Sequence, residues 1–202
     1  MKELDNKIKM EQTISTTKNI YYPPGGILMW IVIFLELLTF GMALIAMAYY
    51  GKQEPELFHN SRLLLNTTFG TINTVFLLTS GFFMAVSVHY LKEKNVKKTS
   101  LYLKLTMLGG VLFLVLKTIE YSGKIDAGLG MNYNTFFTFY WMLTLFHVIH
   151  VLVGLIILAV VHNDLKKKQL NINSEDFEAS AAFWHMCDLI WLLLFPVIYL
   201  IF

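Results

Sequence analysis

A histidine and an aspartate lie three residues apart inside a segment that is otherwise apolar and aromatic. His185 and Asp188 occur in A182-F-W-H-M-C-D-L-I-W191, and His147 and His150 have the same spacing in another apolar segment. Residues three apart share one face of a helix, so each pair can present two polar groups to the same neighbour. Imidazole and carboxylate groups placed in this way can bind a metal ion, hold a proton or hydrogen-bond another helix.

The residue types leave these three possibilities open. Hydrogen bonds from histidine and aspartate can stabilise a helix bundle. His147 and His150 can instead bind a metal ion if a carboxylate lies nearby. Proton handling is the third possibility, with Glu36 as the candidate, because a carboxyl group in an apolar segment can accept and release protons. Lys117 and Glu120, three residues apart in a further apolar segment, can form an ion pair.

Five long apolar stretches must position these residues. The chain has 202 residues, of which 56% are hydrophobic, and its formal net charge of +2 gives no indication of nucleic-acid binding. About 20 apolar residues suffice for a helix to cross the hydrocarbon core of a bilayer, and lipid forces such a segment to be helical. The sequence therefore predicts an all-α integral membrane bundle of five transmembrane helices, at about 27–50, 68–91, 100–121, 136–161 and 181–202.

Residues 1–26 are predicted to be a polar N-terminal tail, and residues 27–202 the transmembrane domain. The tail and the second and fourth linkers contain eleven Lys and Arg residues, whereas the other two linkers contain three. The positive-inside rule then places the N-terminus in the cytoplasm and the C-terminus outside. Tyrosines and tryptophans near the helix ends, Trp184 among them, are expected in the interfacial aromatic belts.

Three of the polar residues are expected at similar depths. At about 1.5 Å per residue, Glu36, His150 and Asp188 lie roughly 14, 16 and 10 Å from the cytoplasmic ends of their helices. We therefore expect an inter-helix polar network in the cytoplasmic half of the bundle.

Five motifs together resemble subunit III of the haem–copper terminal oxidases, the family of cytochrome c oxidase and bo-type quinol oxidase. In chain order they are F34-L-E-L-L-T-F40, N73-T-V-F-L-L-T-S-G81, L116-K-T-I-E-Y121, F146-H-V-I-H-V-L-V-G154 and F183-W-H-M-C-D-L-I-W-L-L-L-F195. The first resembles the family helix that holds a buried, carbodiimide-reactive glutamate. The resemblance extends from about Trp30 to the C-terminus.

The resemblance implies a non-catalytic subunit of a bacterial inner-membrane oxidase that couples oxygen reduction to proton pumping. Haem and copper would be bound by subunit I, and this chain would hold no metal and no catalytic residue. It would pack directly against subunit I and other oxidase subunits, bind phospholipid, support proton uptake and protect the oxidase during turnover. Glu36 would be the proton- or lipid-related acid. The other polar residues would lock the helices together: His147, His150, His185, Asp188, Glu120 and Asn73.

Two features depart from the family pattern. Lys117 occupies the position of a family glutamine, so its pairing with Glu120 is expected to differ. The two helices that come first in seven-helix members have no counterpart before Trp30, which indicates the five-helix form of bo-type quinol oxidase subunit III. The accessory subunit of nitric oxide reductases has the same fold and is the alternative. A stand-alone membrane metalloenzyme and a small transporter are more remote.

Overall fold

The computed structural model describes residues 26–168 and 174–202. The helices are α1 (Ile27–Gln53), α2 (Pro55–Leu63), α3 (Thr67–Lys92), α4 (Val96–Asp126), α5 (Thr135–Lys168) and α6 (Ser174–Pro196), and α6 continues into a π-helical turn (Val197–Ile201). All except α2 and the π-helical turn are long and apolar enough to cross a membrane. The predicted all-α class with five spanning helices is confirmed. The predicted polar tail lies outside the described residues apart from Gly26, and the orientation in the membrane stays a prediction.

The short helix α2 is not predicted from the sequence. It begins at Pro55, whose fixed φ and missing N–H suit the first turn of a helix. Phe58 is fully buried, and its ring centroid lies 5.5 Å from that of Phe136 and 5.1 Å from that of Phe202. α2 therefore closes the end of the bundle at which α1 ends and α3 begins.

α6 is the central helix. α3 and α5 each pack against both α4 and α6, and α1 packs against α5 and α6 from outside this ring. Half of the residues in the most apolar stretch of α6 are buried inside the bundle, compared with 11% of those in the corresponding stretch of α1. Changes in α6 should therefore affect the whole bundle, whereas α1 is peripheral.

Small polar side chains allow α3 and α4 to approach each other closely. The Ser80 hydroxyl donates to the carbonyl oxygen of Thr106 at 2.7 Å, and the Ser87 hydroxyl donates to that of Thr99 at 2.9 Å. Gly109 faces Ser80, and a Cβ at that glycine would lie only 2.7 Å from the serine Cβ. Such close contacts between small residues are a main source of helix association in membranes.

The helical geometry of α6 changes after Pro196. Proline has no N–H to donate to the carbonyl group four residues earlier, so the α-helical hydrogen bonding is interrupted there. The chain continues through residues 197–201 with the wider π-helical turn, a geometry that is frequent at functional sites. Tyr199 is fully buried in this turn, and its hydroxyl reaches the polar residues of α4.

Candidate functional site

Glu36 and His150 connect α1 to α5. Oε2 of Glu36 lies 3.2 Å from Nε2 of His150, and the two side chains are only 23% and 12% exposed. The rings of Phe40 and Phe146 cover the imidazole, with centroids 5.7 and 4.6 Å away. The contact is short but lacks the direction of a hydrogen bond, so a small side-chain rotation is needed to form one. The structure thus brings together two of the three residues expected at one depth.

A backbone contact determines how many protons this pair holds. Nδ1 of His150 lies 2.8 Å from the carbonyl oxygen of Phe146. Because a carbonyl oxygen only accepts hydrogen bonds, Nδ1 must carry a hydrogen. Nε2 can then hydrogen-bond Glu36 only if one further proton is present, on the carboxyl group or on the imidazole. In a hydrogen-bonded arrangement, Glu36 and His150 would therefore share one proton in addition to the hydrogen on Nδ1.

His147 does not join this pair although it lies one helical turn away. Its side chain is fully buried between Phe113 of α4 and Trp191 of α6, with ring centroids 5.6 and 5.2 Å away. Within residues 26–168 and 174–202, neither of its ring nitrogens has a hydrogen-bond partner. His147 packs as one ring of an aromatic cluster, so the two histidines of α5 do not converge. No three His, Cys, Asp or Glu side chains come together for a metal ion in the described part of the chain.

His185 and Asp188 form a second pair, where α6 meets α3. Nδ1 of His185 lies 3.5 Å from Oδ2 of Asp188. The carboxylate rests against Gly81 of α3, where a Cβ would overlap it. The Asp188 side chain is 9% exposed, whereas that of His185 is 44% exposed. Asp188 is therefore held against α3 and is not brought to the Glu36–His150 pair, so the network expected at one depth divides into two pairs.

A third polar cluster joins α4, α5 and the π-helical turn. Nζ of Lys117 lies 2.9 Å from Oε2 of Glu120 and 2.8 Å from the hydroxyl of Tyr199. The hydroxyls of Tyr140 and Tyr199 donate to Oε1 of Glu120 at 3.0 and 2.7 Å. Nζ also lies 4.8 Å from the ring centroid of Trp191, within cation–π range. The predicted pairing of Lys117 with Glu120 is confirmed, and the hydroxyls of Tyr140 and Tyr199 provide further hydrogen bonds to the Glu120 carboxylate.

Two tryptophans of α6 form inter-helix hydrogen bonds that were not predicted from the sequence. Nε1 of Trp184 donates to the Ser80 hydroxyl at 3.0 Å, and Nε1 of Trp191 donates to the Thr74 hydroxyl at 2.9 Å. Both indoles are buried inside the bundle, and the interfacial depth expected for Trp184 stays a prediction. Their spacing of seven residues, two helical turns, was the signal that could have placed both on one face. Asn73 is also buried, and neither of its amide atoms bonds to another described residue.

The chain is similar to one protein family over nearly all of its length. The family model described as cytochrome c oxidase subunit III matches residues 24–201. The matched region includes α1 to α6 as well as the π-helical turn.

Relatives from different organisms show two extents of similarity. Cytochrome c oxidase subunit 3 of Drosophila melanogaster is 35% identical over 133 residues, which are 63% of this chain and 48% of that protein. Cytochrome c oxidase subunit 3 of Prototheca wickerhamii is 33% identical over 134 residues, with the same two shares. The chain thus matches about half of the length of these relatives. Cytochrome bo(3) ubiquinol oxidase subunit 3 of Buchnera aphidicola is 25% identical over 200 residues, 98% of this chain and 93% of that protein.

Proposed function

Because the chain belongs to the cytochrome c oxidase subunit III family, we propose that it is a non-catalytic membrane subunit of a haem–copper respiratory oxidase. The complex reduces oxygen to water and couples the reaction to proton pumping. Haem and copper are bound by subunit I, and this chain supports that subunit. The observation that carries the proposal is the family match over residues 24–201, which covers the five spanning helices among the described residues.

The proposed location is a bacterial inner membrane. Five helices in the described part of the chain are long and apolar enough to span a bilayer. The Buchnera relative, a bacterial quinol oxidase subunit, is similar over 93% of its own length.

The Glu36–His150 pair is the proposed proton-handling group. It holds one exchangeable proton because Nδ1 of His150 is committed to the Phe146 carbonyl oxygen. The pair connects the peripheral helix α1 to α5, and the Glu36 side chain keeps 23% of its surface exposed. That exposed part lies on the surface of the bundle, where a polar group of a partner subunit can reach the carboxyl group. In the predicted orientation the pair lies in the cytoplasmic half, where protons enter the oxidase.

The other polar clusters are proposed to keep the bundle rigid for docking to subunit I. Trp184 and Trp191 hydrogen-bond α6 to α3. The Lys117–Glu120 cluster connects the π-helical turn to α4 and α5 through Tyr199 and Tyr140. Buried hydrogen bonds of this kind restrict a membrane bundle to one packing. A rigid subunit presents a preformed surface, which lowers the entropic cost of association.

A mild-detergent purification tests the proposed function. The tagged chain is isolated from native membranes, and a reduced-minus-oxidised haem spectrum is recorded on the purified material. We expect an a-type or o-type haem signal, with oxygen consumption when quinol or reduced cytochrome c is supplied. The matched control is the same purification with an untagged chain.

The same preparation separates the alternatives. A b-type and c-type haem signal with nitric oxide consumption would favour the accessory subunit of a nitric oxide reductase. A preparation without any haem-bearing partner would refute the proposed function. Metal analysis of this chain after separation from its partners tests the proposal that it holds no redox centre, and stoichiometric metal in the isolated chain would contradict it.

A further inference from the structure

We propose that the groove between α3 and α6 is the docking surface for a membrane-spanning helix of another chain, and that this helix donates a hydrogen bond to Asp188. The groove has a volume of about 390 Å³ and is lined by both members of the His185–Asp188 pair. Only the identity of the partner rests on the proposed function, in which the docked helix belongs to the haem-bearing subunit.

The depth of the pair argues for a protein partner over a lipid headgroup. Glu178 forms an ion pair with Lys92 at 3.2 Å, which marks the polar end of α6 and α3. Asp188 is ten residues further along α6, a rise of about 15 Å. That distance is half of the roughly 30 Å hydrocarbon core. Lipid tails at this depth can neither donate nor accept a hydrogen bond, whereas side chains of a neighbouring helix can.

The pair itself is incompletely satisfied. Asp188 is only 7% exposed, and in the described part of the chain its Oδ1 atom has no hydrogen-bond partner. Its Oδ2 atom faces His185, whose side chain is 44% exposed. Ionisable side chains within a membrane usually face a bundle interior or a polar partner, since facing lipid is costly. Oδ1 is shielded from the surface of the chain, so a donor on a docked helix reaches the carboxylate after a rotation of the Asp188 side chain, and the same helix covers the imidazole.

The shape of the groove fits a helix. Leu78 and Phe82 on α3 are exposed and lie one helical turn apart. Leu189 and Leu192 on α6 are exposed and lie almost one turn apart. These side chains form two apolar ridges with the polar pair on one wall of the groove. A partner helix with an apolar stripe can lie between the ridges and present one polar residue at the level of Asp188.

A face of α4 offers the contrast. Between Leu108 and Val115 every exposed residue of α4 is apolar. Such a stripe is what lipid tails require, because it leaves no hydrogen-bonding group unsatisfied. Leu108 is twelve residues from the start of α4, a rise of about 18 Å, so it lies at a depth similar to that of Asp188. The two faces therefore differ in polarity at matched depth.

Photo-crosslinking in the assembled complex tests the proposal. A photoreactive amino acid is placed at Phe82 or at Leu189. The depth-matched control position is Leu108 of α4, and Val115 is a second control on the same face, further along that helix. The complex is irradiated in native membranes, purified and analysed by mass spectrometry. We expect the groove positions to form adducts with a membrane-spanning segment of the haem-bearing subunit. We expect the α4 positions to form only lipid adducts.

Other outcomes overturn the proposal. Lipid adducts alone at Phe82 and Leu189 would mean that the groove faces the bilayer. Adducts with a second copy of this chain would identify a homo-oligomer interface instead. Haem that copurifies with the unmodified chain, together with lipid adducts in the groove, would refute this proposal and leave the proposed function intact. Groove adducts with a helix of a chain that carries no haem would support docking and refute the proposed function.

The role of Asp188 itself is tested with Asp188→Leu, which is similar in size but cannot accept a hydrogen bond. The control on the same helix is Glu178→Gln, because Glu178 lies at the polar end and outside the groove. Detergent is titrated into each purified complex, and the fraction of chain still bound to its partner is measured. We expect Asp188→Leu to weaken retention about tenfold, because the donor on the partner helix would be buried without its acceptor. Retention equal to that of Glu178→Gln would overturn the assignment of Asp188.

Discussion

Oε2 of Glu36 on α1 lies 3.2 Å from Nε2 of His150 on α5, although the two residues are more than a hundred positions apart in the chain. α1 otherwise buries little, since Phe40, Met47 and Gly51 are its fully buried residues among those described. The acid–imidazole contact is thus one of few attachments of the outermost helix. We expect a change in the protonation of this pair to alter the packing of α1 against α5 and α6, while the packing among α3 to α6 stays unchanged.

Replacing Glu36 with glutamine preserves the shape of the side chain and removes the carboxyl group of the Glu36–His150 pair. We expect the variant to assemble with normal haem content, because glutamine can still hydrogen-bond His150. Oxygen consumption by the purified complex should decline sooner during sustained turnover, since no carboxylate remains to take up the proton or to stabilise it on the imidazole. The measurement is an oxygen-electrode trace together with a haem spectrum of the same sample.

Glu178→Gln is the matched control for this variant because Glu178 is an acid of α6 whose partner, Lys92, lies at the polar end of the bundle. It should behave as the unmodified complex does. If Glu36→Gln keeps both its rate and its durability at the level of this control, Glu36 has no role in proton handling.

The Lys117–Glu120 cluster predicts a graded response to substitution. Lys117→Met leaves the buried Glu120 carboxylate without its cation, and breaking a buried ion pair costs about 3–5 kcal/mol. Lys117→Gln should cost less, about 1–3 kcal/mol, because an amide can still donate to Glu120 and Tyr199. Thermal unfolding of the purified complex provides the measurement.

Lys52→Met serves as the control for this series, since Lys52 is exposed near the same end of the bundle. We expect its unfolding temperature to equal that of the unmodified complex. An unfolding temperature of Lys117→Met within error of Lys52→Met would show that the buried cation contributes nothing to stability.

The spanning helices could be predicted from the sequence because lipid leaves a long apolar segment no alternative to a helix. The pairing of residues between helices could not, because it depends on rotation about each helix axis. His147 and His150 lie on one helix three residues apart, yet one is enclosed by aromatic rings and the other contacts Glu36. Likewise Asp188 is held against Gly81 of α3 and does not join Glu36 and His150, with which it was grouped by residue counting. The position of a residue along its helix can be counted from the sequence, whereas the neighbour that its side chain faces depends on how the helices pack.

Gly110 of α4 provides a direct test of the packing around Trp184. A Cβ at Gly110 would lie 2.5 Å from Cη2 of Trp184 and 3.0 Å from Cδ2 of Leu155. The indole cannot move aside freely because its Nε1 donates to Ser80. We therefore expect Gly110→Ala to destabilise the bundle by about 1–3 kcal/mol through overpacking.

Gly123→Ala is the matched substitution on the same helix, because nothing lies within 4 Å of a Cβ at that position. Alanine has a higher helix propensity than glycine, so this variant should be neutral or more stable by up to about 1 kcal/mol. Thermal denaturation of both variants in the same detergent gives the comparison. Equal stability of the two variants would mean that Trp184 is not confined as described.

Alanine substitutions at His185 and Asp188 test whether this pair locks α6 in place, and the unequal burial of the two side chains predicts unequal effects. His185→Ala removes the neighbour of a carboxylate that is only 7% exposed, and an unpaired buried acceptor costs about 1–3 kcal/mol. Asp188→Ala leaves behind an imidazole that is 44% exposed and can remain neutral, so its cost should be lower.

The amount of each variant in native membranes, measured by immunoblot, should therefore fall for both and fall further for His185→Ala. The double variant should resemble Asp188→Ala, because no buried carboxylate remains in it to be left unpaired. Normal accumulation of both single variants would refute the lock. A double variant that accumulates less than His185→Ala would show that the two side chains act through separate contacts, and that the 3.5 Å approach between them contributes little.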